Sequence, residues 1–131
     1  MARTPRSDTM LLSDGTEINL GGSTETATIA ASAAVSGIID KRGRVMMAVH
    51  VPATITAASL GLKAATASDG AFGPVYDKGG NLYTLTMTAS AVLVLDPQIV
   101  AALQYVKLWS QDGSGVDTNQ GGARVFGVSL L

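Results

Sequence analysis

The sequence predicts an all-β domain: a two-sheet antiparallel sandwich, jelly-roll-like, of about eight strands, with one short helix and an extended N-terminal arm. Three observations carry that expectation. Apolar residues alternate over short runs, most clearly in residues 44–51, where Val45, Met47, Val49 and Val51 fall on one side and Arg44, Met46, Ala48 and His50 on the other. That period of two marks a strand with one buried face. Turn pairs such as Asp69-Gly70, Gly73-Pro74 and Gly79-Gly80 punctuate the runs at spacings typical of sandwiches and jelly rolls. No run of ten or more residues has helical period.

Taken in order, residues 1–22 read as the arm and residues 23–131 as the sandwich domain. Arg3 and Arg6 are the arm's only basic side chains, Pro5 discourages regular structure, and Asp14-Gly15 and Gly21-Gly22 are turn signals. Its short apolar pieces, residues 10–12 and 18–20, suit an edge strand added to a neighbour or to the same sheet. Residues 24–31 set Thr24, Thr26 and Thr28 against Ala27 and Ile29, a strand with one polar face. Residues 34–39 form a second run, closed by Asp40-Lys41-Arg42-Gly43, and the next buried positions are Leu60 and Leu62. A short strand is expected at Val75-Tyr76. Tyr83, Leu85 and Met87 then oppose Thr84, Thr86 and Thr88, and residues 91–95 are apolar on both faces, as in a short central strand. Asp96-Pro97 opens a helix of one or two turns, with Asp as N-cap and Pro in the first turn. Residues 105–110 form a strand with Val106 and Leu108 inward, residues 111–122 a polar loop, and residues 124–131 the last strand, with Phe126, Val128 and Leu130 inward. The expected core therefore includes Val45, Met47, Val49, Leu60, Leu62, Leu85, Met87, Val106, Leu108, Phe126 and Val128.

At 131 residues the chain is one domain, large enough to bury a core. It has no cysteine, so neither disulfides nor thiolate metal sites are available. It shows no signal-peptide pattern and no membrane-spanning run, which points to a soluble protein assembled in a cytosol. Only 15% of residues are charged, against about 25% in a typical domain. Apolar residues make up 47% and Ser and Thr supply 24 more positions. A surface so neutral suits coverage by other subunits; Ser, Thr and Gly solvating it is the plainer account. A net charge of −1 speaks against nucleic-acid binding.

Catalytic chemistry finds little to stand on, and no enzyme and no cofactor is expected. His50 is the single histidine, so a zinc site would need carboxylates alone and a serine triad would need His50 as its base. Asp112, Asp117 and Asn119 lie in a Gly-rich loop with oxygen ligands suited to calcium, but without EF-hand spacing. The Gly-Gly pieces lack a phosphate-loop fingerprint and read as turns. The ten carboxylates are scattered, and no spacing selects a glycosidase pair.

Tyr105, Lys107 and Trp109 alternate with Val106 and Leu108 and so share the face turned from the core. Such a stripe suits a protein interface, stacking on sugar rings, or internal cover by the chain itself, the arm for instance. Together with Arg3, Arg6, Met10, Leu11 and Leu12 in the arm, these three are the candidate interface residues.

From residue 36 onward the chain resembles small cement or decoration proteins of tailed bacteriophage capsids. The resemblance rests on SGIIDKRG, VPATITAASL, DGAFGPVYD, VLDPQIVAAL and YVKLWS in that order, with TNQGG before the final strand. It implies a structural virion protein that binds across capsid subunit boundaries. It also implies a place on the capsid outer surface after assembly in the host cytoplasm. The implied partners are the major capsid protein and further copies of itself, as dimer or trimer, with no nucleic acid and no membrane. The competing reading is a receptor- or carbohydrate-binding module of a phage tail or fibre that uses the Tyr105–Trp109 face.

Overall fold

Two antiparallel sheets enclose one apolar core, and the strand alternation explains which side chains fill it. The computed structural model describes residues 9–11, 13, 17–19 and 23–131. In chain order the elements are β1 (Thr9–Leu11), β2 (Glu17–Asn19), β3 (Ser23–Ile29), β4 (Ile39–Asp40), β5 (Met46–His50), β6 (Ser59–Ala65), β7 (Gly73–Pro74), β8 (Thr84–Thr86), β9 (Val92–Val94), α1 (Pro97–Val100), β10 (Tyr105–Gln111) and β11 (Arg124–Leu130). One sheet runs β4-β10-β6-β7, with β8 also paired to β6; the other runs β3-β11-β5-β9. The two sheets thus hold nine strands, close to the eight expected.

β10 and β6 form the spine of the five-stranded sheet, in register from Tyr105 opposite Ala65 to Gln111 opposite Ser59. Their inward residues, Val106, Leu108, Leu60 and Leu62, are buried against Phe126, Val128, Val49 and Ile29 of the second sheet. Met87 joins this core, and Leu85 and Tyr83 pack at its margin, half-buried. Burying each large aliphatic side chain stabilises the fold by roughly 1.5–3 kcal/mol, before the entropy of ordering the chain is set against it.

One register error in the sequence reading has a clear cause. The alternation expected Val45, Met47 and Val49 on a single inward face. Instead Met46 is fully buried and Val45 only half-buried. Ser129 pairs with Ala48 and Leu130 with Met46, so β5 carries one extra residue, Met47, at that point. A β-bulge of this kind shifts the side-chain phase by one. Val49 keeps the expected face and Met46 replaces Val45 on it; the Met47 side chain lies outside the described residues.

Two other runs differ from expectation. Residues 34–39 do not form a regular strand. Ser36 donates its backbone N–H to Leu108 O, but its hydroxyl, not a carbonyl, accepts the Leu108 N–H at 2.9 Å. That substitution leaves a bridge at Val35 opposite Trp109 and a two-residue β4. Residues 91–95 contribute β9, an edge strand and not a central one. The helix matches expectation: Asp96 Oδ1 accepts the Gln98 N–H at 3.0 Å and Pro97 starts the first turn. In the arm, β1 and β2 pair with each other in a separate two-stranded sheet, with Met10 opposite Ile18.

Candidate interaction surface

The outer face of the five-stranded sheet is covered in part, around Trp109 and Gln111, by the chain's own side chains and loops. Lys107 and Lys63 lie directly opposite each other on β10 and β6, an arrangement that like charges disfavour. Each ammonium is turned onto an aromatic ring: Lys63 Nζ lies 4.6 Å from the Trp109 ring centre and Lys107 Nζ 4.4 Å from that of Phe72. The loop after β10 then folds back. Asp117 bridges to Gln111 and takes the Trp109 Nε1–H on Oδ1 at 2.7 Å. Gly115, at φ +93°, donates its N–H to Gln111 Oε1 and approaches the Trp109 ring edge and Leu82. A side chain other than glycine at that φ is strained. The result is a Trp109 only 4% exposed.

Beneath this cover Gln111 is fully buried, and its Nε2 is the buried side-chain nitrogen without a partner among the described residues. It occupies the space that Gly61 leaves open: a Cβ on Gly61 would lie 2.1 Å from it. Gln120, also fully buried, is by contrast saturated. Its Oε1 accepts the Thr56 N–H at 2.7 Å and the Arg124 Nε–H at 3.3 Å. Its Nε2 donates to Thr56 O at 3.0 Å and Ser110 Oγ at 2.9 Å. Its backbone holds Ser32 and Ala33, so three loops close on one amide.

Among the described residues, none gives the outer face of the four-stranded sheet such a cover. Across it run Thr24, Thr26 and Thr28 of β3, Val125, Gly127 and Ser129 of β11, Ala48 and His50 of β5, and Val92 and Val94 of β9. The three threonines and His50 are exposed, and Val92, Val94 and Val125 are 53%, 72% and 54% exposed. No Asp, Glu, Lys or Arg stands on this face; its one titratable side chain, His50, makes a 2.9 Å hydrogen bond with Ser129 Oγ. Four strands about 4.8 Å apart make it roughly 14 Å wide. An exposed, neutral surface of threonine and valine suits contact with another protein surface.

Charge gathers elsewhere, at the mouth between the sheets near β4. Ser23, Glu25, Asp40, Lys41, Arg42, Arg44 and Leu130 line a depression there. Lys41 is 1% exposed and donates its ammonium to the carbonyl of Val100, the last residue of α1. Burial lowers its pKa from the ordinary 10.5, because desolvation disfavours the charged form. Asp40 is engaged otherwise, its Oδ1 accepting from Arg42 N and Gln104 Nε2. In the depression beside Tyr76 and Asp96, Asp77 Oδ1 accepts from the Gly79 and Asn81 N–H groups, and Asp96 Oδ1 caps the helix. Among the described residues no three metal-ligating side chains cluster, and Asp112, of the calcium candidates, uses Oδ1 on Ser114 and Val116 N–H groups.

The sequence-predicted interface residues fall in three places. Trp109 faces outward as the alternation expects, and its own loop covers it, in line with internal cover, one of the three readings of the stripe. Stacking on a sugar needs an open ring face, and Lys63 lies over this one. Tyr105 and Lys107 are half-buried on the same sheet. Met10 and Leu11 lie in β1, with side chains outside the described residues, as are Arg3, Arg6 and Leu12. Sequence reasoning missed the bare face as a unit, although the threonine alternation of β3 was its visible signal. No family model, no curated protein and no solved structure matches this chain.

Proposed function

We propose that this protein is a structural virion component that cements or decorates a phage capsid by binding across capsid subunit boundaries. The observation that carries the reading is the pairing of a self-covered sheet with a bare, uncharged one. A β-sandwich that shields one outer face and leaves the other neutral is built to be one layer of an assembly. The order of turn and strand motifs from residue 36 onward supports the same reading. The major capsid protein is the proposed partner of the Thr24–Val94 face, and the arm, with Arg3 and Arg6, is the proposed fastener to the shell.

The test is decoration of shells assembled from the cognate major capsid protein. The wild-type chain is expected to co-sediment with shells and to give density at subunit boundaries on the outer surface. Thr26→Lys together with His50→Asp should weaken co-sedimentation, and removal of residues 1–22 should weaken it further. Density at a tail or fibre in place of the shell, or full binding by the doubly charged variant, rules the reading out.

A further inference from the structure

The bare sheet ends in an unprotected edge, and the geometry of that edge points to a specific partner. Val51 donates its N–H to Ala91 O at 2.8 Å, and Val49 lies opposite Leu93 two residues along the same antiparallel ladder. Hydrogen-bonded pairs alternate with non-bonded ones, so Val49 and Leu93 bond each other, while Val92 and Val94 sit in non-bonded positions opposite His50 and Ala48. The backbone N–H and C=O groups of Val92 and Val94 therefore point away from β5, off the free side of the sheet. Among the described residues no strand pairs there.

The other edges of the two sheets are blunted by devices that proteins use against edge pairing. β3 carries Glu25 opposite the inward Val128, a charge aimed into the sheet edge. β4 is two residues long and runs into Lys41-Arg42, and β7, which pairs with β6 as β8 does, contains Pro74. β9 is short as well, at three residues, but it carries neither charge nor proline. From residue 88 to residue 95 it reads Thr-Ala-Ser-Ala-Val-Leu-Val-Leu, without charge or proline, with two β-branched residues exposed on its face.

We infer that β9 pairs with β9 of a second copy, antiparallel about a two-fold axis through Leu93, to make one continuous eight-stranded sheet. In that register Val92 lies opposite Val94 of the second copy, and Val94 opposite its Val92. The two pairs exchange four N–H···O=C bonds, which satisfies the two free donors and two free acceptors on each edge. The valines meet on the outer face as apolar cross-strand pairs. Asp96 falls opposite Ser90, so no two carboxylates confront each other. A closed two-fold pairing also ends the growth that an open apolar edge invites. The inference goes beyond the capsid reading and stands without it: the dimer is a property of the free protein.

Three-residue strands bury less than the ~1,000 Å² of a durable interface, so the dimer is concentration-dependent, half-formed somewhere between about 1 μM and 1 mM. Sedimentation equilibrium of the full chain over that range is the primary test. Val94→Pro removes an N–H that serves no bond to β5, and with it two of the four intermolecular bonds; dimerisation should weaken about tenfold or more. Val92→Lys should weaken it as well, whereas Val94→Thr, which keeps the backbone groups and the branched shape, should not. Amide exchange at Val92 and Val94 should slow as wild-type concentration rises. A chain that stays monomeric to about 1 mM overturns the inference. So does a dimer indifferent to both Val94→Pro and Val92→Lys, or one lost through Ile18→Asp in the arm but retained in Val94→Pro.

Discussion

The two sheets share one core and one backbone geometry, yet their outer faces are treated in opposite ways. On the five-stranded sheet a pair of opposed lysines is drawn onto Trp109 and Phe72, and the loop after β10 returns to bond the indole. On the four-stranded sheet seven of the ten outward residues, three threonines, three valines and His50, stand open. A chain with so few charges would be expected to hide its exposed apolar groups if it worked alone. It covers Trp109 and Gln111 on one face and leaves most of the other exposed, a difference that supports the proposal of a contact surface there.

The contrast can be broken from the core outward. Leu108→Ala removes a fully buried side chain shared by both sheets and should destabilise the whole domain by about 2–5 kcal/mol, seen as one cooperative shift in chemical denaturation. Gly61→Val acts on the covered face alone: the new side chain collides with Gln111 Nε2 and crowds Trp109, for an expected loss of about 1–3 kcal/mol. A Gly61→Val protein as stable as wild type would mean that the cover yields freely. Trp109→Phe keeps the ring but not the bond to Asp117; about 1 kcal/mol should go, with faster amide exchange at Gly115 and Val116 as the local sign.

Lys41, at the mouth between the faces, gives a pH signature. Its folded pKa is lowered by burial, so between that value and 10.5 the unfolded chain binds more protons than the native one. This group therefore makes stability rise with pH through that window and level off above about 10.5. Lys41→Met should flatten the rise in urea midpoints measured from pH 8 to 11; an unchanged slope would show that the ammonium is not the source. The smallest effect belongs to the bare face. Thr26→Lys should alter stability by no more than about 0.5 kcal/mol while reducing attachment, a split that Gly61→Val should not show.

Much of this architecture was legible because period-two alternation survives wherever a strand has one wet face. Thr24, Thr26 and Thr28 against Ala27 and Ile29 placed β3, Val106 and Leu108 placed β10, and Asp96-Pro97 placed the helix. The signal failed where a local event overrode it. The bulge at Met47 changes the phase of β5 by one residue without altering the composition of the run. Ser36 breaks its strand by offering a hydroxyl where the ladder needs a carbonyl. The sequence of β9 suits a central strand because it is apolar on both sides, and an apolar edge looks the same in sequence as a buried strand. The cover over Trp109 was illegible for a different reason: it depends on where a glycine-rich loop turns back, through positive φ at Gly113 and Gly115, and composition does not state a direction.

The clamp at Gln120 bears on how long the folded molecule lasts. Its amide joins residues 64 positions apart in the chain at Thr56, so that contact closes a long loop and is expected to form late on the folding path. Interactions absent from the transition state act on the rate of unfolding and barely on the rate of folding. Loss of this one side chain should therefore leave refolding times nearly unchanged and shorten the lifetime of the native state. Durability of this kind is set by the barrier to opening and not by the depth of the well.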